Sequence, residues 1–112
     1  MVNCNMSGPV YSLLRSAILN RQQVFATYHG KPREMCPHAI GAKNGGEHVL
    51  VYQFGGISNT PLKADGSHDN WRCLTIAELS GVTVRDGPWH TAIRGHSRRE
   101  TCIDLIDVEV RL

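Results

Sequence analysis

The chain has 112 residues, of which 41% are hydrophobic and 20% charged, with 12 Lys and Arg against 10 Asp and Glu. That length supports one domain with a single modest core, not two. A net charge of +2 is too weak a field for a purely electrostatic binder of duplex DNA, so attraction to any anion has to come from local clustering.

The opening MVNCNMSGPVYSLL has no basic region followed by a long apolar stretch, so it does not read as a signal peptide. No segment approaches the length of a membrane span, and both features point to a cytoplasmic protein. The four cysteines, Cys4, Cys36, Cys73 and Cys102, are widely spaced. In that compartment they read as reduced thiols, mostly small core residues, rather than as a disulfide framework.

SGPVYSLLRSAILNRQQ starts a helix over residues 9–20. Ser7 suits the N-cap, Pro9 the first turn, and Asn20 and Arg21 the C-terminus. Val10, Leu13, Leu14, Ala17 and Ile18 recur at helical spacing, which makes one apolar face that must cover a sheet. QQVFATY is β-branched and aromatic and predicts a strand, HGKP a turn, and REMC a second short strand closed by Pro37, which has no N–H for a ladder. NGG signals a hairpin, and EHVLVYQF lacks alternation, so that strand is central and buried on both faces.

Residues 55–70 are rich in Gly, Ser, Asn and Pro and form a long loop of the kind that is often functional. WRCLTI resumes the sheet, AELSG turns, and VTVR makes another short strand. RDGPWHTAIRGHSRRE is locally basic, with Arg85, Arg94, Arg98 and Arg99 against Asp86 and Glu100, as a solvated loop would be. The tail TCIDLIDVEVRL alternates, but its phase slips at Leu105–Ile106, which predicts a β-bulge there. One helix and about five short strands, with no second long helix to cross between parallel strands, predict a mainly β, α+β fold. The form expected is a small SH3-like or Sm-like barrel over residues 22–90 with an extra C-terminal strand.

Chemistry points to binding rather than catalysis. Arg33 lies between a tyrosine-ended strand and a Pro-bounded exit, and Arg72 opens an apolar strand. A guanidinium at a strand end is costly to desolvate unless an anion or carbonyl meets it, and its planar fork suits phosphate and carboxylate. The same residues also fit plainer roles: Arg33 pairing with Glu34 or Glu47, and Arg72 stacking on Trp71. Six histidines invite a metal or nucleophile reading, with Cys36-Pro37-His38 the nearest pair. No CxxC or HxxxH spacing accompanies it, and nothing nearby activates a thiolate. GAKNGG lacks the G-K-[ST] ending of a phosphate loop, and no G-x-S-x-G occurs. No enzyme activity, cofactor or metal is expected.

LRSAILNRQQV, the TY strand end, PREMCP, HVLVYQF and WRCLTIAELSGV together resemble a WYL domain, the Sm-like β-barrel of bacterial transcription regulators. The resemblance spans residues 10 to about 90. The name-giving Trp-Tyr-Leu reads His48-Val49-Leu50 here, the Phe after the second motif's Arg is Leu74, and the Arg that often follows is Thr75. The resemblance implies sensing of a nucleotide or single-stranded nucleic acid through a basic, aromatic-lined patch. It carries Tyr28, Arg33, His48 and Arg72 into that patch, with His38 and Tyr52 beside them. It also implies a regulatory setting, yet only some twenty residues precede the barrel, too few for a helix-turn-helix head. The expected protein is therefore a free-standing sensor, an accessory to a separate DNA-binding or effector protein, or a homodimer. Assembly through open sheet edges, with residues 103–112 as an added or swapped strand, is the competing reading.

Overall fold

The computed structural model of the chain describes residues 8–93 and 102–110. A helix, α1 (Pro9–Asn20), leads into six strands: β1 (Gln23–Tyr28), β2 (Lys31–Lys43), β3 (Gly46–Gly56), β4 (Trp71–Thr75), β5 (Leu79–Arg85) and β6 (Leu105–Glu109). All pairings are antiparallel and the sheet is open, in the order β4-β3-β2-β1-β5, with β6 added to β2. The protein is thus mainly β with one N-terminal helix. None of the described helices is long and apolar enough to cross a membrane.

Helix α1 has the predicted bounds, with Pro9 in its first turn. Gly8, not Ser7, holds the N-cap position, and Ser7 lies outside the described residues. Arg21 ends the helix in the left-handed region at φ 51°, and its N–H and that of Gln22 reach back to Ile18 and Ala17 carbonyls. Tyr11, Leu14, Ala17 and Ile18 are buried, whereas Leu13 is 42% exposed. The apolar stripe is therefore centred one position round from the expected one, with a tyrosine in it.

Two tight hairpins join β1, β2 and β3. His29–Gly30 and Asn44–Gly45 both carry positive φ at consecutive positions, the backbone that matches the twist of two-residue hairpins. Pro37 does not end β2, contrary to the sequence-based expectation. β1 pairs with β2 as far as Met35 and β6 pairs from Ala39 onward, so Pro37 stands in the gap between the two neighbours on that edge. Its missing N–H withdraws no ladder bond there, and the irregularity appears instead as a register shift against β3 between Pro37 and Ala39.

β3 is central and buried on both faces, as its unbroken apolar run predicts. Side chains alternate along it. Val49 and Val51 join Val24, Ala26, Met35 and Leu74 in the main core under α1, while Leu50 packs with Ala39 and Ile103 on the reverse face.

The tail pairs within its own chain. Ile40 faces Val108 and Gly41 faces Ile106, which leaves Asp107 as the extra residue of a bulge one position beyond the predicted slip. β6 comes so close to Gly41 that any Cβ there would collide with the Leu105 carbonyl. The basic stretch around Arg94, Arg98 and Arg99 lies outside the described residues.

Candidate functional site

Strand register divides the six candidate residues between the two faces of the sheet. Ala26 pairs with Arg33 and Val51 with Arg72, and all four share the helix-covered face with Tyr28. Tyr52 and His48 alternate with Val49 and Val51 and lie on the reverse face. His38 falls at the β2 irregularity, and its ring meets Trp71 edge-on at 4.7 Å.

Arg33 is the unusual residue. It is only 4% exposed. Its Nη1 donates to Gln53 Oε1 and its Nη2 to the Tyr28 carbonyl, both at a long 3.4 Å, and its Nε makes no hydrogen bond among the described residues. The guanidinium lies 5.1 Å from the centre of the Tyr28 ring, a cation–π distance. Among the described residues, an ion pair joins Arg15 to Asp107, the His29 and His90 rings meet the carboxylates of Glu78 and Asp65, and none of these contacts reaches Arg33 or Arg72. Burial pulls the Arg33 pKa down, the nearby Arg72 charge pulls it further, and Tyr28 opposes both. A buried guanidinium next to a second cation, without a carboxylate, is an electrostatic arrangement that an anion would relieve.

Arg72 is better satisfied. Its Nε donates to Ser58 Oγ at 2.9 Å, Nη1 to the carbonyls of Asp69 and Trp71, and Nη2 to the Thr60 carbonyl at 3.0 Å. It clamps the loop of residues 57–70 onto the sheet while half-exposed, and burial lowers its pKa against the raising effect of Asp69. Gln53, which sequence reasoning passed over, joins the two parts. Its Oε1 accepts from Arg33, and its Nε2 donates to the Gly55 and Ile57 carbonyls where the loop begins. A glutamine inside an apolar strand was the available signal, because a fully buried amide has to find partners.

Tyr28, Tyr52 and His38 are held by internal bonds. Tyr28 is buried, receives the Thr75 N–H on its hydroxyl, and stacks on His29 at 4.1 Å. Tyr52 is fully buried; its hydroxyl donates to the Ser67 carbonyl and accepts from Gly66 N–H and Asn70 Nδ2. His38 is fully buried between the Cys36 carbonyl and Thr91 Oγ1. Its neighbour Cys36 is buried too, and burial pushes the thiol up to about 11, which favours the protonated form over the thiolate.

The cysteines correct the all-thiol reading. Cys73 and Cys102 form a disulfide, with Cα atoms 6.2 Å apart, inside the normal range. Only the third dimension brings them together: the chain returns past β4 just before β6. His48 sits beside them.

A shallow cleft of about 310 Å³ lies along the β1–β2 hairpin, lined by Arg33 and Ala26 as well as by Phe25, Thr27, Pro32 and Glu34. Phe25, Thr27, Pro32 and Glu34 alternate with Ala26 and Arg33 along the β1–β2 hairpin and so project from the opposite face. Comparison with protein-family models, with curated proteins and with solved structures gives no match.

Proposed function

We propose that this chain is a non-enzymatic ligand-sensing module that binds an anionic ligand, a nucleotide or single-stranded nucleic acid, where Arg33 and Arg72 meet at one end of the sheet. The observation that carries the reading is the buried Arg33 guanidinium, with an unbonded Nε, two long hydrogen bonds, and a second arginine rather than a carboxylate in its field. A phosphate entering past the half-exposed Arg72 would supply the acceptor that the protein does not. The loop of residues 57–70, anchored by Arg72, Gln53 and Asn70, is the natural element to reorder around it.

The WYL kinship and the SH3-like or Sm-like barrel belong to the same proposal. They are supported by the leading helix and the strand order, and by Arg33, Arg72 and Tyr28 sharing one face. A cytoplasmic location goes with it. A second reading, assembly through sheet edges, draws on the exposed Leu105 and Ile106 of β6, which are 74% and 38% accessible.

Fluorescence anisotropy with short single-stranded DNA and RNA oligomers across a salt series tests the site. Binding is expected to weaken log-linearly with salt, and Arg33→Met should lower the slope by about 0.7 through loss of one phosphate contact. Preference for RNA would indicate contacts to the 2′-hydroxyl. Absence of binding at low salt to either oligomer and to nucleoside phosphates rules the proposal out. Loss of self-association on removing residues 103–112, in a chain that binds no anion, would favour assembly.

A further inference from the structure

The reverse face of the sheet carries a cluster that the anion reading does not use. His48 projects from β3, Cys73 from β4, and Cys102 from the segment entering β6. Leu50 pairs with Cys73, and His48 lies two residues before Leu50, so the imidazole and the thiol share a face by alternation. One donor atom from each of the three residues lies within 4.8 Å of the other two. Zinc bonds to sulfur at about 2.3 Å and to imidazole nitrogen at about 2.0–2.1 Å, so the ligand atoms of a tetrahedral site stand roughly 3.3–3.8 Å apart. Once reduction frees the two sulfurs, side-chain rotation can set the three donors at that spacing. Cys73 is exposed and the other two are half-buried, so an ion reaches the cluster without opening the core.

We propose that in the reduced protein Cys73, Cys102 and His48 bind a zinc ion, and that the Cys73–Cys102 disulfide is the oxidised, metal-free form of the same site. Two thiolates and a neutral imidazole are a soft N/S donor set, which selects zinc over oxygen-loving magnesium or calcium. Two thiolate charges balance the dication, and the fourth position is left to water or an exogenous ligand. The two forms exclude each other, because disulfide sulfurs are not thiolates.

The exchange balances. A thiol reductant supplies two electrons, the S–S bond breaks, the reductant leaves as its own disulfide, and two thiols form. Zinc then replaces their two protons, which go to solvent. In the reverse direction a small-molecule disulfide accepts two electrons, takes two protons from solvent and is released as two thiols, the Cys73–Cys102 bond re-forms, and zinc dissociates. Either state ties the segment before β6 to β4, by a covalent bond in one and through a metal in the other.

The test uses the full chain, reduced with a phosphine, stripped with a chelator and titrated anaerobically with Co²⁺ and then Zn²⁺. One equivalent of Co²⁺ should bind with a thiolate-to-cobalt charge-transfer band, and Zn²⁺ should displace it. The oxidised chain should take up neither ion. His48→Ala should still form the disulfide but lose zinc affinity on the order of tenfold or more. Cys73→Ser should lose the charge-transfer band. Should that variant fail to fold, His48→Ala and the oxidised wild type still decide the question. Reduced wild type that binds no Co²⁺ or Zn²⁺, or His48→Ala that binds zinc as tightly as wild type, overturns the proposal.

Discussion

Arg33 and Cys36 lie three positions apart on β2, and burial acts on them in opposite senses. For Arg33, burial disfavours the charge that the side chain nevertheless carries, and two long hydrogen bonds and the Tyr28 ring offset it. Replacing a buried charge by an apolar chain of similar volume is often neutral or stabilising. Arg33→Met should therefore leave stability to urea unchanged or raise it by about 1–3 kcal/mol, the usual penalty of an unsatisfied buried group, while weakening anion binding. A large loss of stability would mean that the guanidinium is a structural strut. For Cys36, burial favours the neutral thiol and raises its pKa from 9.0 to about 11, with the His90 N–H on the sulfur opposing at 3.3 Å. The folded state then holds the proton more tightly than the unfolded state. The resulting stability is complete below pH 9.0 and is lost as pH rises toward about 11. Urea midpoints measured across that window should fall in wild type and fall less steeply in Cys36→Ala, where the buried Tyr11 and Tyr52 hydroxyls, also held above their ordinary value, keep part of the slope, and iodoacetamide should label Cys36 only after unfolding.

At the scale of elements, the bulge in β6 joins helix to sheet. Asp107, the extra residue, accepts a 2.7 Å hydrogen bond from the Tyr11 hydroxyl and pairs with Arg15 Nε at 3.0 Å, so α1 is tied to the last strand across 96 and 92 positions of sequence. A hydrogen bond to a charged acceptor is worth about 1.5–3 kcal/mol when partly buried. Tyr11→Phe should cost about that much in urea unfolding and speed amide exchange in β6 before β3, whereas equal protection of both strands would show that β6 does not depend on the tie. The loop of residues 57–70 is organised in the same manner. Asn70 is buried and bonds to Lys63 and Ala64, while Tyr52 holds Gly66 and Ser67. A segment with so few apolar side chains owes its shape to buried polar groups beneath it.

For the whole molecule, the disulfide is the covalent tie between β4 and the segment before β6. It closes 29 residues of chain, and a closed loop of that size removes roughly 3–4 kcal/mol of unfolded-state entropy in the chain-entropy description. Reduction without metal should lower stability by about that amount, and added zinc should restore part of it, read as a shift in thermal midpoint. No change on reduction would mean that the segment before β6 is held by Ile103 and the β2 pairing alone. Reduction tests the reverse face, and the salt series on oligomers tests the helix-covered face, so the two proposals fail separately.

Much of the fold was legible in residue order because its causes are local. Pro9 and the 3.6-residue apolar recurrence define α1, Asn44–Gly45 dictates a hairpin, and the unbroken Val49–Tyr52 run marks a strand buried on both faces. Arg33 and Arg72 were recognisable as a pair because strand-end guanidinium groups need partners. Other features depended on neighbours distant in sequence. Pro37 continues β2 because two different strands flank it, and Asp107 rather than Leu105 is the bulged residue because β6 must fit against Gly41. The two faces of the sheet separated Tyr52, His38 and His48 from the arginines, and Cys73 met Cys102 only when the chain doubled back. Sequence by itself determined the elements and the residue types able to bind, since periodicity and turn chemistry act within a few residues. The tertiary structure alone decided which of those residues meet, because strand pairing and register bring together groups that no local spacing relates.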